Sequence, residues 1–384
     1  MPTEIIVVGD TELGGGTLTD DFIADKSLSQ LLLTYAAKKS PVDFICNGDT
    51  FDFLKCPYFD NGKLTYPRHI TSGVSVAKLK MIYDAHKPVF QAWREFVTST
   101  QHHLYFVIGN HDHDLFYPEV RQKIKSLLRS HKNIHFIMEY EKNNIHVEHG
   151  HQHDFLNRIK PDHPFLKYKK QRILNIPWVS FGIISGFLKL KEEHPFMERI
   201  KPLPVLFSHH RAIVKKLNIL SFFFLLKNII LYPLHYHFDP TWTFPKELLR
   251  EIYRRFRNVH WDVDDVVKTF KRKRWRSLHR NKVYVFGHVH TKYVEEKEGW
   301  VIIHSDTWRD EYFLDKDTKV LTPKTKQYVH ILAESDQVKW ELRAHPITRS
   351  TFHFNDVMKD EVKFLTLAAG EEGYHYPFTK PEQK

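Results

Sequence analysis

Residues 104–112 read Leu-Tyr-Phe-Val-Ile-Gly-Asn-His-Asp, an apolar run that ends in glycine and then in three polar side chains. The run is rich in aromatic and β-branched residues, which predicts a buried strand. The glycine marks the turn at which that strand ends. A buried strand followed by glycine and chemically active side chains decides the fold, because the chain repeats this pattern.

Four more segments have the same pattern. The apolar runs at residues 5–8, 42–46, 145–148 and 282–286 precede Gly9-Asp10, Asn47-Gly48-Asp49, His149-Gly150-His151 and Gly287-His288-Val289-His290. Helical patterns cover residues 25–39, 74–100 and 119–132 between them. Alternating strands and helices predict an α/β protein with a largely parallel sheet, in which ligands bind at the carboxyl ends of the strands.

The remaining segments predict how the chain is divided. Residues 300–304, 328–333 and 338–344 read as strands that we expect to complete a second sheet, and we expect an irregular tail from residue 347. We predict a core domain from residues 1–153 and 282–345, a helical cap at 154–281 above the strand ends, and a C-terminal extension at 346–384.

Composition excludes several classes of protein. The 384 residues are 42% hydrophobic and 27% charged, so the chain is neither disordered nor collagen-like. The formal net charge of +11 indicates anionic partners. Two cysteines cannot form a disulfide framework, which fits a reducing compartment. The N-terminus has no basic stretch before its apolar run, so we expect no secretory signal and a cytoplasmic location.

The polar residues at the strand ends are candidate metal ligands. Carboxylate, imidazole and amide oxygen donors together suit borderline divalent ions. The donors are too many for one tetrahedral site. They fit a pair of ions about 3.5–4 Å apart, an arrangement suited to phosphoester hydrolysis.

The five segments, in this order, are similar to the motifs of the calcineurin-like metallophosphoesterases. That family has D-x-H, G-D-x-x-D, G-N-H-D/E, a later H, and G-H-x-H. The resemblance covers residues 4–153 and 282–344 and does not include the cap. It implies a sandwich of two packed sheets flanked by helices, here with a helical cap insertion.

The resemblance also implies two ion positions that share a bridging carboxylate. Site A would use Asp10 and His290, and Asp49 would bridge both ions. Site B would be completed by the side chains of Asn110, His149 and His288.

The same resemblance implies the catalytic roles. His111 would donate a hydrogen bond or proton to the leaving oxygen, and Asp112 would hold the His111 ring in the required tautomer. A metal-bound water would attack phosphorus in line. His151 lies close to the fourth motif, and we expect it to face the substrate.

Glu12 is the one departure from the family pattern, because residues 10–12 read Asp-Thr-Glu where the family has histidine third. Glu12 can replace the imidazole as an oxygen ligand, which would favour Mn²⁺ or Mg²⁺ over Zn²⁺. Alternatively, Glu12 points elsewhere and site A is weak. We expect two divalent ions, with Mn first and Fe, Zn, Mg, Co or Ni as alternatives.

The cap carries the information about the substrate. Residues 219–234 are strongly apolar but too short for a comfortable spanning helix of about 20 residues. We favour a buried cap helix; a lipid-chain pocket or an interfacial helix on a membrane are the alternatives. A helical insertion at this place is also found in the UDP-2,3-diacylglucosamine hydrolases, a neighbouring branch of the superfamily.

These observations predict a metal-dependent phosphoesterase with a phosphorylated substrate, a phosphodiester or pyrophosphate linked to a lipid or nucleotide. Peripheral contact with the inner face of a membrane through the cap follows from the lipid alternative. A nuclease is the second hypothesis, since the basic run at residues 271–276 would contact phosphates. The third is a non-catalytic scaffold with a degraded metal site.

Overall fold

The computed structural model describes residues 3–242, 263–274, 280–334 and 337–377. The strands, numbered in chain order, are β1 (Thr3–Val8), β2 (Val42–Asn47), β3 (Tyr58–Asp60), β4 (Lys63–Thr65), β5 (His103–Val107), β6 (Ile134–Ile137), β7 (Glu139–Lys142), β8 (Ile145–Glu148), β9 (Phe165–Tyr168), β10 (Gln171–Leu174), β11 (Ile200–Lys201), β12 (Val283–Phe286), β13 (Lys292–Lys297), β14 (Trp300–Ser305), β15 (Tyr312–Leu314), β16 (Val320–Pro323), β17 (Lys326–Glu334), β18 (Gln337–His345) and β19 (Phe352–His353).

The α-helices, also in chain order, are α1 (Asp25–Ala36), α2 (Ser72–Ala85), α3 (Lys87–Phe96), α4 (Pro118–Leu128), α5 (Trp178–Gly182), α6 (Leu188–Glu193), α7 (Leu203–His209), α8 (Arg211–His235), α9 (Val263–Arg274), α10 (Phe354–Lys359) and α11 (Glu361–Glu371). A π-helical turn, Ile183–Phe187, joins α5 to α6. The helix predicted over residues 74–100 is two helices, because α2 ends at Ala85 and α3 begins at Lys87, with Pro88 in its first turn.

The first main sheet has the strand order β18-β17-β1-β2-β5-β6. Strands β1, β2, β5 and β6 are parallel neighbours. The first three are the strands predicted at residues 5–8, 42–46 and 104–108, whereas β6 was not predicted. The expectation that residues 328–333 and 338–344 join a second sheet is wrong, since β17 pairs antiparallel with β1 and β18 with β17. Ile331 lies opposite Ile5 in this register, and both are buried in the same apolar cluster.

The second main sheet has the order β13-β14-β12-β8-β7. Its inward residues, such as Val147 and Val285, share one apolar cluster with Val7 and Ile45 of the first sheet. The two sheets therefore pack face to face. The other face of the first sheet is covered by α1, α3 and α4.

The segment 154–281 differs from the expected helical cap. Its described part also contains strands β9, β10 and β11. Helix α9 covers the outer face of the second sheet, where Phe270 packs against Phe286 and Ile302. The basic run predicted at residues 271–276 lies partly in α9 and partly outside the described residues.

The tail is also more ordered than expected. Strand β19 pairs with β16, and α10 and α11 follow it. Phe354, Val357 and Leu365 are buried in an apolar cluster together with residues of α7 and β15. The prediction of an irregular tail is therefore wrong, because short helices at this spacing give a weak sequence signal.

Helix α8 is exposed, so the buried cap helix favoured above is wrong. It is long and apolar enough to cross a membrane by length and composition, and 6% of its most apolar 18-residue window is buried. Phe222 and Phe223 are 62% and 60% exposed. Apolar composition predicted burial, but this face of the helix has no protein surface over it among the described residues.

A matched pair of phenylalanines tests this packing. Phe106 is fully buried among Phe51, Trp93 and Phe136. We expect Phe106→Ala to lower the free energy of unfolding by about 3–5 kcal/mol, because it leaves a cavity. Phe223→Ala should change it by less than about 0.5 kcal/mol. Chemical denaturation of both variants measures the difference, and equal losses would contradict the exposed position of α8.

Candidate metal centre

Several residues at the strand ends that carry the motifs have a strained backbone. Asp10, Glu12, Asp49 and His288 have positive φ angles of 50°, 51°, 46° and 71°. Side chains other than glycine rarely adopt this region, and it persists where surrounding structure enforces it. The strain aims these side chains into a common space between the carboxyl ends of β1, β2 and β12.

Two motif glycines allow the side chains to approach one another. A Cβ atom on Gly48 would lie 2.3 Å from the His149 ring, and one on Gly109 would lie 2.1 Å from Asp49 Oδ1. Any side chain at either position would collide with a candidate ligand. This contact explains why glycine precedes the polar residues in these motifs.

Three acceptor atoms converge at site B. The Nε2 atom of His149 lies 3.1 Å from Asp49 Oδ2 and 3.2 Å from Asn110 Oδ1. His149 Nδ1 lies 2.9 Å from the carbonyl oxygen of Asn47 and donates to it. The Nε2 lone pair of a neutral His149 therefore faces two oxygen atoms, an arrangement that requires a cation or a proton between them.

These distances fit a shared divalent ion. Ligand atoms that lie about 2.0–2.2 Å from one ion, at near right angles, are about 3 Å from each other. The ligand atoms of Asp49, His149 and His288 all lie within 4.8 Å of one another. The Asn47 contact fixes the His149 tautomer in the way that is usual for metal-binding histidines.

The carboxylates that converge on His149 also change its pKa. Burial by itself would lower the His149 pKa, but the Asp49 and Asp10 carboxylates outweigh it and raise the pKa to about 10. Burial also opposes ionisation of Asp49, yet His149 and His111 hold the pKa of Asp49 well below its usual range. The negative charge of Asp49 is thus available to a cation.

Site A brings together Asp10, Glu12 and His290. The Nε2 atom of His290 lies 3.4 Å from Asp10 Oδ1 and 3.4 Å from Glu12 Oε1. His290 Nδ1 lies 3.5 Å from Glu311 Oε1 on its other side. Asp10 accepts the backbone N–H of His288 at 3.0 Å, which links the two sites. Glu12 therefore points toward site A, as the ligand hypothesis requires.

Sequence reasoning missed the groups that surround Glu12. Lys55 Nζ lies 2.6 Å from Glu12 Oε2, and Arg309 Nη1 lies 3.4 Å from both Glu12 oxygens. No motif spacing marks Lys55, Arg309 or Glu311, because they come from loops whose positions the fold alone determines.

The predicted partner of His111 is wrong. His111 Nδ1 contacts Asp52 Oδ1 at 3.0 Å, whereas the Asp112 carboxylate accepts the backbone N–H groups of Gly109 at 2.5 Å and Thr50 at 2.9 Å. Asp112 therefore holds the loops together. Burial, followed by the charge of Asp49, raises the pKa of Asp112 to about 7.

His151 does not face a substrate as expected. Its side chain is fully buried, and its ring packs 5.4 Å from the His149 ring and 5.5 Å from the His113 ring, measured between centroids. Neither ring nitrogen of His151 has a hydrogen-bond partner among the described residues. Burial, with the neighbouring His149, holds the pKa of His151 well below its usual range.

A cavity of about 180 Å³ opens over both sites. Its polar part is formed by Glu12, Asp49, Lys55, Asn110, His111, Asn157, Glu198, His288, His290 and Arg309. Val179, Ile183 and Phe187 form an apolar wall and lie four residues apart along α5 and the π-helical turn. The cavity thus places ionic groups beside an apolar surface.

No protein-family model matches the chain, and no curated protein is similar to it in sequence. One solved structure, from Staphylococcus aureus, is named as a 5'-nucleotidase in complex with α-ketoglutarate. It is similar over 95% of this chain at 10% sequence identity, with a TM-score of 0.31. This chain spans 59% of that protein's length. A TM-score this low does not indicate a shared fold.

Two aspartates, one near the start of β2 and one just after its end, test the metal centre. We expect Asp49→Asn to abolish binding of Mn²⁺, because the substitution removes the negative charge at the centre of the ligand set. Asp43→Asn should retain the ions, since the equally buried Asp43 pairs with Lys142 and Tyr140 instead. Elemental analysis of both purified variants gives the answer, and full metal occupancy in Asp49→Asn would contradict the assignment.

Proposed function

We propose that this protein is a metal-dependent phosphoesterase of the calcineurin-like type, which hydrolyses a P–O bond at a pair of divalent ions. The observation that carries the proposal is the convergence of buried ligand atoms at site B: His149 Nε2 lies 3.1 Å from Asp49 Oδ2 and 3.2 Å from Asn110 Oδ1. The face-to-face packing of the two main sheets and the order of the five motifs support the same family.

Ions bound at sites A and B would lower the pKa of a coordinated water and offset charge on the phosphate oxygens. The residues of this chain position the reaction. His111 lines the cavity beside Asp49 and Asn110, where a phosphate held by both sites would lie. Asp52 orients the His111 ring through Nδ1, which leaves Nε2 to donate to the leaving oxygen.

The cavity wall supports a substrate that carries an apolar group next to its phosphate. Val179, Ile183 and Phe187 offer that surface within the cavity itself. Behind this wall, Phe224 of α8 packs against Trp178, with ring centroids 5.2 Å apart. The exposed helix and the cavity therefore share one layer of side chains, and we propose a lipid-linked phosphodiester or pyrophosphate as the substrate. A nucleotide-linked ester is the alternative.

Helix α8 supports contact with a membrane surface. Its exposed apolar residues recur at helical spacing and form one face: Ile219, Phe222, Phe223, Leu226, Ile229, Ile230 and Leu234. Arg211, Lys215 and Lys216 are exposed at the N-terminal end of the same helix. An apolar face with a basic end suits an interfacial helix on an anionic bilayer. We propose that the protein acts at the cytoplasmic face of a membrane.

The catalytic role of His111 has a matched control at the other end of β5. We expect His111→Ala to keep its metal and to lose about 10²–10⁴ in turnover, the usual contribution of a general acid. His103→Ala, which alters the residue that begins β5, should keep turnover within about threefold, as expected for a residue remote from the chemistry.

Aryl phosphate, bis-aryl phosphate and UDP-sugars serve as substrates for this comparison. An unchanged rate in His111→Ala would remove this residue from the mechanism. Wild-type protein that binds no metal and hydrolyses none of these esters would favour the scaffold hypothesis.

Vesicle binding tests the membrane proposal. We expect the wild-type protein to co-sediment with anionic phospholipid vesicles. Phe223→Asp/Ile230→Asp should weaken this binding by at least about tenfold, because two apolar side chains that would contact the bilayer become charged. Phe313→Asp/Leu367→Asp alters residues of similar exposure on other elements and should not weaken it.

Equal loss in both double variants would contradict docking through α8. Tight binding to oligonucleotides that falls steeply with salt, without vesicle binding, would favour the nuclease instead.

A further inference from the structure

Lys55 is a buried cation surrounded by carboxylates. Its ammonium lies 2.6 Å from Glu12 Oε2, 2.8 Å from Asp21 Oδ2 and 3.0 Å from Asp52 Oδ2. The side chain is 3% exposed. The ammonium donates hydrogen bonds to Glu12 and Asp21, and the Asp52 carboxylate is a further ion-pair partner. Lys55 also borders the cavity, so its charge lies beside site A.

Arg309 adds a second fixed positive charge to the same carboxylate. It is buried, and its Nη1 atom lies 3.4 Å from each oxygen of Glu12. Its Nη2 atom donates to the carbonyl oxygen of Glu198 at 3.1 Å, which fixes the guanidinium in place. The charge of Glu12 is therefore already opposed before any metal ion arrives at site A.

Site B has no lysine or arginine equivalent to Lys55 among the described residues. Among the described residues, no lysine or arginine nitrogen lies within 4 Å of the Asp49 carboxylate, whose ion-pair partner is His149. A divalent ion at site B would meet a carboxylate that no described lysine or arginine opposes, together with Asn110, His149 and His288. An ion at site A would meet Glu12 with Lys55 and Arg309 behind it. Repulsion between a cation and a divalent ion a few Å away is substantial even in water.

We propose that the two metal positions are unequal: site B binds its ion first and tightly, and site A binds weakly because Lys55 acts as a resident cation on Glu12. The proposal rests on the proposed function, since it concerns the same ion pair. It assigns to Lys55 a role that the five motifs do not contain. Glu12 remains a ligand through Oε1, while Oε2 is held by the ammonium.

Calorimetric titration of the metal-free protein with Mn²⁺ tests the inequality directly. We expect two steps, separated by at least about tenfold in affinity because of the repulsion described above. Native mass spectrometry should give a one-ion species over a wide range of Mn²⁺ concentration. Asn110→Ala should remove the tight step and His290→Ala the weak one, which identifies the sites.

Substitutions of Lys55 test whether its charge causes the weak binding at site A. Lys55→Met should tighten the weak step by at least about tenfold and leave the tight step unchanged, because Glu12 loses its nearest opposing charge. Lys55→Arg retains the charge and should keep the weak step weak. Lys191→Met is the matched control, since Lys191 is equally buried and bonds Asp21 and Glu198 but makes no bond to Glu12.

The results of these experiments distinguish failure of the unequal-site proposal from failure of the proposed phosphoesterase function. Two steps of equal affinity in the wild-type protein would overturn the inequality and leave the phosphoesterase intact, and this result needs no variant to fold. Tightening of the weak step in Lys191→Met as large as in Lys55→Met would overturn the role of Lys55. Absence of any Mn²⁺ binding would overturn the proposed function.

Discussion

The structure depends on a set of buried acceptor atoms that are forced together. Asp49 Oδ2, Asn110 Oδ1 and His149 Nε2 lie 3.1 and 3.2 Å apart, and the His149 proton is directed to the Asn47 carbonyl oxygen. Buried acceptors that face each other are costly unless a positive charge satisfies them. The fold must therefore gain this stability from a bound cation or from protonation. This requirement links the fold to the metal-dependent activity that we propose.

Parallel strands bring the candidate metal ligands close together. Neighbouring strands β1, β2 and β5 end at one edge of the first sheet, and β8 and β12 end at the adjoining edge of the second. The left-handed backbone at Asp10, Asp49 and His288 turns each side chain into the gap between these edges. The shared apolar cluster fixes the two sheets relative to each other, so that packing far from the cavity sets the distances within it. Strain at the site is maintained by the rigidity of this core.

The sequence predicted the strands of the motifs and the residues at their ends, because buried strands followed by glycine give a strong local signal. It could not predict which sheet β17 and β18 join, since the hydrophobic pattern of a strand does not determine which strand it pairs with. Lys55, Arg309 and Glu311 were missed by sequence reasoning because they lie at no characteristic sequence distance from the motifs. Asp52, and not Asp112, contacts His111, a choice that depends on side-chain direction. The exposure of α8 was mispredicted because apolar composition usually indicates burial.

The central claim is that Asp49, Asn110, His149 and His288 bind a divalent ion. Anomalous diffraction at the manganese edge, from crystals grown with Mn²⁺, tests it most directly. We expect the strongest anomalous peak between these four side chains, at coordination distance from His149 Nε2. Absence of a peak there, or a stronger peak at another cluster such as Glu139, His146 and Glu148, would contradict the account.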